Sequence, residues 1–225
     1  MTAKLGLSAV MVFALSAILT PDAAAQGRRG GGMMGGRGLG SLLSNEGVQK
    51  ELKLDSDQTT KANELAAKAR EKMQESFQSL QGLEAAERRQ KSQDLNRELN
   101  ASIKKDASEF LKADQLARLV QIDYQNRGAA VYSDPEVQSK LKITDDQKAA
   151  IKEIQEESAQ AMGALFSGGG GGNREEAMAK FRELQNSTKE KIEGKLTDDQ
   201  KKAWKELVGA PFEVRFAPRQ RGGNN

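Results

Sequence analysis

The sequence predicts an all-α protein that contains two tandem homologous helical-hairpin modules of long amphipathic helices. Three observations lead to this prediction. A five-residue pattern typical of helix starts recurs four times, a longer stretch around it recurs once, and apolar residues between the copies follow helical spacing. Hydrophobic residues make up only 37% of the chain, which suits long helices that each bury one narrow stripe.

The five-residue pattern is clearest at residues 196–200, LTDDQ. A threonine at the N-cap accepts a hydrogen bond from the amide three residues on, and the glutamine there reaches back to the N-cap amide. Residues 143–147 (ITDDQ) repeat the pattern, residues 54–58 (LDSDQ) use aspartate as the cap, and residues 111–115 (LKADQ) carry a lysine that cannot accept. Helix capping alone explains three of these four copies. The candidate motif residues are Leu54, Asp55, Gln58, Ile143, Thr144, Gln147, Leu196, Thr197 and Gln200.

A longer repeat surrounds the motif. The pattern VQxxLK[LI]xxDQ begins at Val48 and again at Val137, 89 positions later. The later Asp-Gln pairs, at 114–115 and 199–200, lie 85 positions apart. This spacing is too long for most solenoid units, so the pattern indicates a duplicated small domain. The predicted modules are residues 41–130 and 131–216.

The first 25 residues have the features of a secretory signal peptide. Lys4 gives a positive start, residues 5–19 are apolar, and residues 23–25 (AAA) resemble a cleavage site. The apolar run is short for a membrane span, and no other stretch approaches one. We therefore expect cleavage after Ala25, export to the periplasm or the medium, and no integral membrane anchor.

Two segments are expected to be disordered. Residues 26–40 are rich in glycine and include Arg28, Arg29 and Arg37. Such RGG-like segments can bind nucleic acid, but an exported protein rarely meets it, so we predict a flexible linker and no nucleic-acid partner. Residues 217–225 form a polar tail.

The first module begins with a short helix that carries Val48 and Leu52. After the cap at Asp55, apolar residues recur at spacings of three and four, which predicts a long amphipathic helix. They are Ala62, Leu65, Ala69, Met73, Phe77 and Leu80. Gly82 indicates a break, a weaker stripe follows, and a last short helix ends at Gly128, in a position that glycine favours.

The second module repeats this plan. Asp134 and Pro135 predict a helix start, with aspartate as the cap and proline at the first helical position. A long helix and its return follow, joined by the glycine-rich residues 167–172, which lack the Lys-Ser/Thr of a phosphate loop. The cap at Thr197 opens a last helix. An extended piece, expected to pack on the bundle, then alternates Phe212, Val214 and Phe216.

The composition excludes several kinds of site. The chain has no cysteine and no histidine, which removes disulfides, cysteine nucleophiles, Ser-His-Asp triads and the usual zinc ligands. Acidic residues are plentiful, but they lie on polar helical faces without a convergent setting. We therefore expect no metal, no cofactor and no enzymatic activity.

The motif copies, the signal peptide, the helical pattern and the lack of a catalytic set resemble the LTxxQ-motif periplasmic proteins, the Spy and CpxP family. Residues 196–200 match the motif fully, and residues 143–147 match with isoleucine for leucine. The resemblance implies a curved protein of long helical hairpins, usually a dimer, that holds unfolded envelope proteins on a concave surface without ATP. Some relatives bind metal through histidines, which this chain lacks.

Relatives in that family carry two motifs per protomer, whereas this chain carries two in each predicted module. We therefore hypothesise a monomeric pseudo-dimer that acts as an ATP-independent periplasmic chaperone for unfolded or stressed envelope proteins. Flexible methionine-bearing surfaces suit a broad range of clients. The candidate client-binding residues are Met73, Phe77, Met162, Leu165 and Phe166, with Arg70, Lys72 and Lys180 as basic neighbours.

Two alternatives stay open at this point. The candidate apolar residues have helical spacing and could instead belong to a hydrophobic core, and the basic neighbours could simply form a solvated face. The rival function is an exported structural or interaction protein that docks one specific partner and has no chaperone activity.

Overall fold

The computed structural model describes residues 38–167 and 174–216. Over these ranges the chain forms nine α-helices, one 3-10 helix and no β-strand, which confirms the all-α prediction. The α-helices are α1 (Leu39–Leu43), α2 (Glu46–Glu51), α3 (Ser56–Ser79), α4 (Ala85–Ala107), α5 (Ala113–Arg127), α6 (Pro135–Lys140), α7 (Asp145–Ser167), α8 (Arg174–Glu193) and α9 (Asp198–Val208). The 3-10 helix, Gly128–Ser133, lies between α5 and α6.

Several sequence predictions concern residues outside these ranges. They are the signal peptide at 1–25, the linker up to residue 37, most of the glycine-rich connection at 167–172, and the tail at 217–225. Helix α1 begins at Leu39, so the prediction of a disordered linker is wrong for residues 39 and 40, which are helical. Gly40 lies so close to α3 that a Cβ there would be 2.8 Å from the Cβ of Ala69. A glycine at this position therefore allows α1 to pack tightly on α3.

Helices α3, α7 and α9 begin where the motif copies predict. Asp55 accepts a hydrogen bond from the Gln58 amide at 2.8 Å, and Thr144 and Thr197 accept from the amides of Gln147 and Gln200 at 3.2 Å. In each case the side-chain oxygen of the glutamine accepts a hydrogen bond in return from the backbone amide of the N-cap residue. These reciprocal bonds satisfy two amides that the first turn of a helix leaves without a partner inside the helix.

The short helices α2 and α6 end in the same way. Lys53 and Lys142 follow them with φ of 52°, a left-handed conformation that glycine usually supplies. The next amide then bonds back to the helix, from Leu54 to the Gln49 carbonyl and from Ile143 to the Gln138 carbonyl. This turn ends the short helix and leads directly into the cap of the following long helix.

Two sets of buried apolar residues hold the helices together. In the first set, α3 packs against α4, and α1 packs against α3, α4 and α5. Its largest fully buried side chains are Leu42, Leu43, Leu119, Ile122 and Val48. In the second set, α7 packs against α8, and the 3-10 helix packs against both. Its largest fully buried side chains are Tyr132, Ile151, Ile192, Val131 and Val137.

The two sets are joined through α5 and through the segment that follows α9. Helix α5 contributes Leu119 and Ile122 to the first set and Tyr124 to the second. The segment after α9, residues 209–216, is here called the C-terminal strap. It packs Phe212 and Val214 against the first set. The described residues, 38–167 and 174–216, all fall within one compact unit. The homology of the modules stays a prediction.

Candidate functional site

The four motif glutamines form two pairs. The amide nitrogen of Gln58 donates to the side-chain oxygen of Gln115 at 2.8 Å, and Gln115 donates back at 3.1 Å. The same exchange joins Gln147 and Gln200, at 2.8 and 2.9 Å. Each pair links the first turn of a long helix, α3 or α7, to the first turn of a short one, α5 or α9. The motif therefore cross-links helices in addition to starting them.

Each glutamine also bonds to the backbone of the helix connection opposite. Gln58 donates to the Phe110 carbonyl at 2.9 Å, and Gln147 donates to the Lys195 carbonyl at 2.8 Å. Gln115 donates to the carbonyls of residues 52 and 53, and Gln200 donates to the Lys142 carbonyl at 3.2 Å. The Phe110 and Lys195 carbonyls lie 85 positions apart, and the Lys53 and Lys142 carbonyls lie 89 apart, which are the two offsets of the sequence repeat. The Leu52 carbonyl has no counterpart among these bonds.

Gln115 is not among the site residues that the sequence predicts, because Lys112 cannot cap a helix. Lys112 makes no side-chain cap, yet its backbone amide still donates to the Gln115 side chain at 2.9 Å. The sequence does contain a signal for this role. All four motif copies have glutamine at their last position, although a capping box can use glutamate there equally well. A carboxylate could not donate to its partner, so the pairing requires amides.

The candidate client-binding residues differ in exposure. Phe77, near the C-terminal end of α3, is 67% exposed, and Met73 one turn earlier is half-buried. Met162 and Leu165 are half-buried on α7, and the side chain of Phe166 lies outside the described part of the structure. Phe77 therefore does not belong to the core, whereas Met73, Met162 and Leu165 are each partly covered.

These residues lie at corresponding places on two different long helices. Met162 comes 89 positions after Met73, and Phe166 comes 89 positions after Phe77.

The basic neighbours of these residues differ in their contacts. Arg70 and Lys72 are exposed on α3, with Lys72 3.5 Å from the Ser102 hydroxyl, while Lys180 on α8 forms an ion pair of 2.7 Å with Glu176. Arg70 and Lys72 therefore lie exposed on the helix that carries Phe77, together with exposed Glu71 and Glu75.

A buried carboxyl group lies near the C-terminal end of α5. Asp123 is 3% exposed, and its Oδ2 is 3.5 Å from Arg127, which also pairs with Asp134 at 2.8 Å. Burial raises the pKa of the Asp123 carboxyl to about 6, and the Arg127 guanidinium lowers it in part. Its Oδ1 and the hydroxyls of Tyr124 and Tyr132 have no hydrogen-bond partner among the described residues. Burial also raises the pKa of both tyrosines.

Within residues 38–167 and 174–216, no group of three or more acidic side chains is placed to hold a metal ion. No helix in that part of the chain combines the length and apolar character needed to cross a membrane. Comparisons with family models, curated proteins and solved structures found no match to this chain.

Proposed function

We propose that this protein is a chaperone that acts without ATP, in the periplasm, and binds unfolded or stressed envelope proteins through apolar residues on its long helices. The observation that carries the proposal is Phe77, a large aromatic side chain that is 67% exposed. An aromatic ring in this position retains apolar area that contact with an unfolded chain can remove from water.

The surroundings of Phe77 support weak and broad binding. Met73 lies one turn away, is half-buried, and has a flexible side chain that adapts to irregular partners. Exposed Arg70 and Lys72 on the same helix attract acidic segments without fixing their position. Contacts of this kind tolerate many sequences, which is the requirement for holding unrelated unfolded proteins.

A monomeric pseudo-dimer is part of the proposal. The two glutamine pairs, with backbone acceptors at the repeat offsets of 85 and 89 positions, support descent from one duplicated module. One chain would then supply the two hairpins that a dimer of the resembled family supplies from two. Light scattering is expected to give the mass of one chain, and a stable homodimer would count against this part.

The second candidate function is a structural or interaction protein that docks one specific partner. One observation favours it. The large apolar side chains that the described residues expose are Phe77 and Phe216, which are on α3 and on the C-terminal strap. A single exposed aromatic can anchor one dedicated partner as well as many weak ones.

An aggregation assay separates the two candidates. An unrelated protein is diluted from denaturant with and without equimolar amounts of this chain, in the absence of nucleotide, and its light scattering is followed. The chaperone proposal expects clear suppression, a smaller effect from F77S, and a wild-type effect from the control F216S. If the wild-type chain leaves aggregation unchanged, the chaperone proposal is wrong and the docking protein is favoured.

A further inference from the structure

The C-terminal strap lies along one face of α5. It leaves α9 at Gly209, whose φ of 65° turns the chain, and residues 211–216 then form neither helix nor strand. The α5 residues beneath it include Arg118, Gln121 and Gln125, which follow one another at helical spacing and so share a face. A Cβ at residue 209 would clash with the Gln121 side chain, so the strap crosses α5 closely.

The hydrogen bonds that hold the strap are made to its backbone. The Gln125 amide donates to the Ala210 carbonyl at 2.9 Å and accepts from the Phe212 amide at 2.8 Å. Arg118 donates to the same Ala210 carbonyl at 2.9 Å, and Asn45 donates to the Arg215 carbonyl at 2.8 Å. Because every peptide presents these same backbone groups, this set of donors and acceptors does not depend on the side chains of the bound segment.

Two of the polar side chains around the strap, Arg118 and Asn45, are also held by contacts outside it. Arg118 pairs with Glu51 at 2.8 Å and donates to Gln121 at 3.1 Å. Asn45 caps α2 by accepting the Val48 amide at 3.1 Å. Neither arrangement involves the strap, so these donors would keep their orientation if the strap left. A site with donors already oriented loses less entropy on binding.

Only two strap side chains contact the first set of buried residues. Phe212 and Val214 are half-buried against it, whereas Glu213 and Arg215 point to solvent and Phe216 is 44% exposed. The surface therefore selects apolar residues two positions apart and accepts varied residues between them. This is the pattern that an extended chain presents on one side.

We propose that this surface, with Asn45, Arg118 and Gln125 as its polar contacts, is a binding site for extended peptide segments that carry apolar residues at alternate positions. The C-terminal strap is its built-in occupant and must move aside for the partner segment to bind. The inference rests on the proposed function for the source of such segments, since unfolded proteins expose them. The strap competes from within the same chain, which lowers the apparent affinity for any other segment.

The test uses the full chain and a fluorescent peptide with the sequence of residues 210–216, APFEVRF. The double variant F212A/V214A weakens the strap and leaves the site itself intact, so it is expected to bind the peptide at least about tenfold more tightly than the wild type does. The control F216A should match the wild type. A peptide with serine at both apolar positions, APSESRF, should bind at least about tenfold more weakly.

A second part of the experiment tests the role of Gln125. Adding Q125A to the double variant removes the groups that pair with the backbone of residues 210 and 212, and it is expected to abolish the gain in affinity. Circular dichroism checks that each variant keeps its helical content, and V214A alone replaces the double variant if that one unfolds. Equal peptide affinity in the wild type and the strap-weakened variant, or self-association of that variant in place of peptide binding, overturns the proposal.

The same variants separate this proposal from the proposed function. Peptide binding without suppression of aggregation would retain the site and reject the chaperone. Suppression of aggregation without peptide binding to the strap-weakened variant would retain the chaperone and reject this site.

Discussion

The side-chain amides of Gln58 and Gln115 donate to each other and accept from each other, at 2.8 and 3.1 Å, although 57 positions separate them in the chain. Both residues are buried, at 8% and 6% exposure. Each amide also completes a bond at a helix start, so one pair of side chains fixes the relative position of α3 and α5. Buried polar networks of this kind stabilise a fold only when every member has a partner.

The first prediction concerns this pair. Q115E keeps the shape of the side chain but replaces a donor with a carboxylate that faces the Leu52 carbonyl and the Gln58 oxygen. We expect the free energy of unfolding to fall by roughly 2–4 kcal/mol at pH 7, measured by urea denaturation. Part of this loss should return at pH 4, where the new carboxyl can hold a proton and donate. The exposed control Q78E should change stability by less than about 0.5 kcal/mol.

Two glycines provide a matched pair of alanine substitutions. G40A places a Cβ 2.8 Å from the Cβ of Ala69, so α1 must shift from α3, and we expect a loss of about 1 kcal/mol or more. Gly163 lies within α7 and has open space around it, so G163A should gain about 0.5–1 kcal/mol from helix propensity alone. Urea denaturation of both variants measures the difference. Equal effects would mean that α1 does not pack on α3 as described.

Asp123 predicts a specific dependence of stability on pH. Its folded-state pKa is raised from 3.8 to about 6, so between these values the folded protein binds more protons than the unfolded chain. Linkage then requires that the Asp123 contribution to stability fall as pH rises through this window. The groups that face Asp123 are Arg127 on α5, Asp134 at the start of α6, and Lys104 on α4.

D123N removes this titration and leaves the other groups in place. The difference in unfolding free energy between D123N and the wild type should move in favour of D123N by up to about 3 kcal/mol between pH 4 and pH 7. Urea denaturation at several pH values measures it. A difference that stays constant across the window would show that the carboxyl is not desolvated as its burial indicates.

The helix starts and the strap could be predicted from the sequence because their causes are local. The caps at Asp55, Thr144 and Thr197 depend on residues three positions apart, which a pattern search reads directly. The alternation of Phe212, Val214 and Phe216 likewise predicts an extended piece with one side against the bundle; Phe212 and Val214 pack there, whereas Phe216 is exposed. Rules for these features involve only neighbouring residues.

The glutamine pairs and Asp123 could not be predicted in this way. Gln58 and Gln115 come together through the packing of α3, α4 and α5, and no local pattern specifies that geometry. Asp123 looks like any polar residue on a short helix, yet it is buried because residues on both of its sides enter the two buried sets. The exposure of Phe77 also could not be predicted, because its spacing along α3 matches that of buried residues such as Leu65 and Ala69.

The most direct test of the chaperone proposal is site-specific photo-crosslinking from position 77. A photoreactive amino acid replaces Phe77 in one variant and Glu64, an exposed residue on the same helix, in the control. Each variant is irradiated with an unrelated unfolded protein and with the same protein in its folded state. We expect crosslinks from position 77 to the unfolded protein only, and few from position 64. Equal crosslinking from both positions, or none from position 77, would contradict the proposal that this exposed end of α3 holds unfolded proteins.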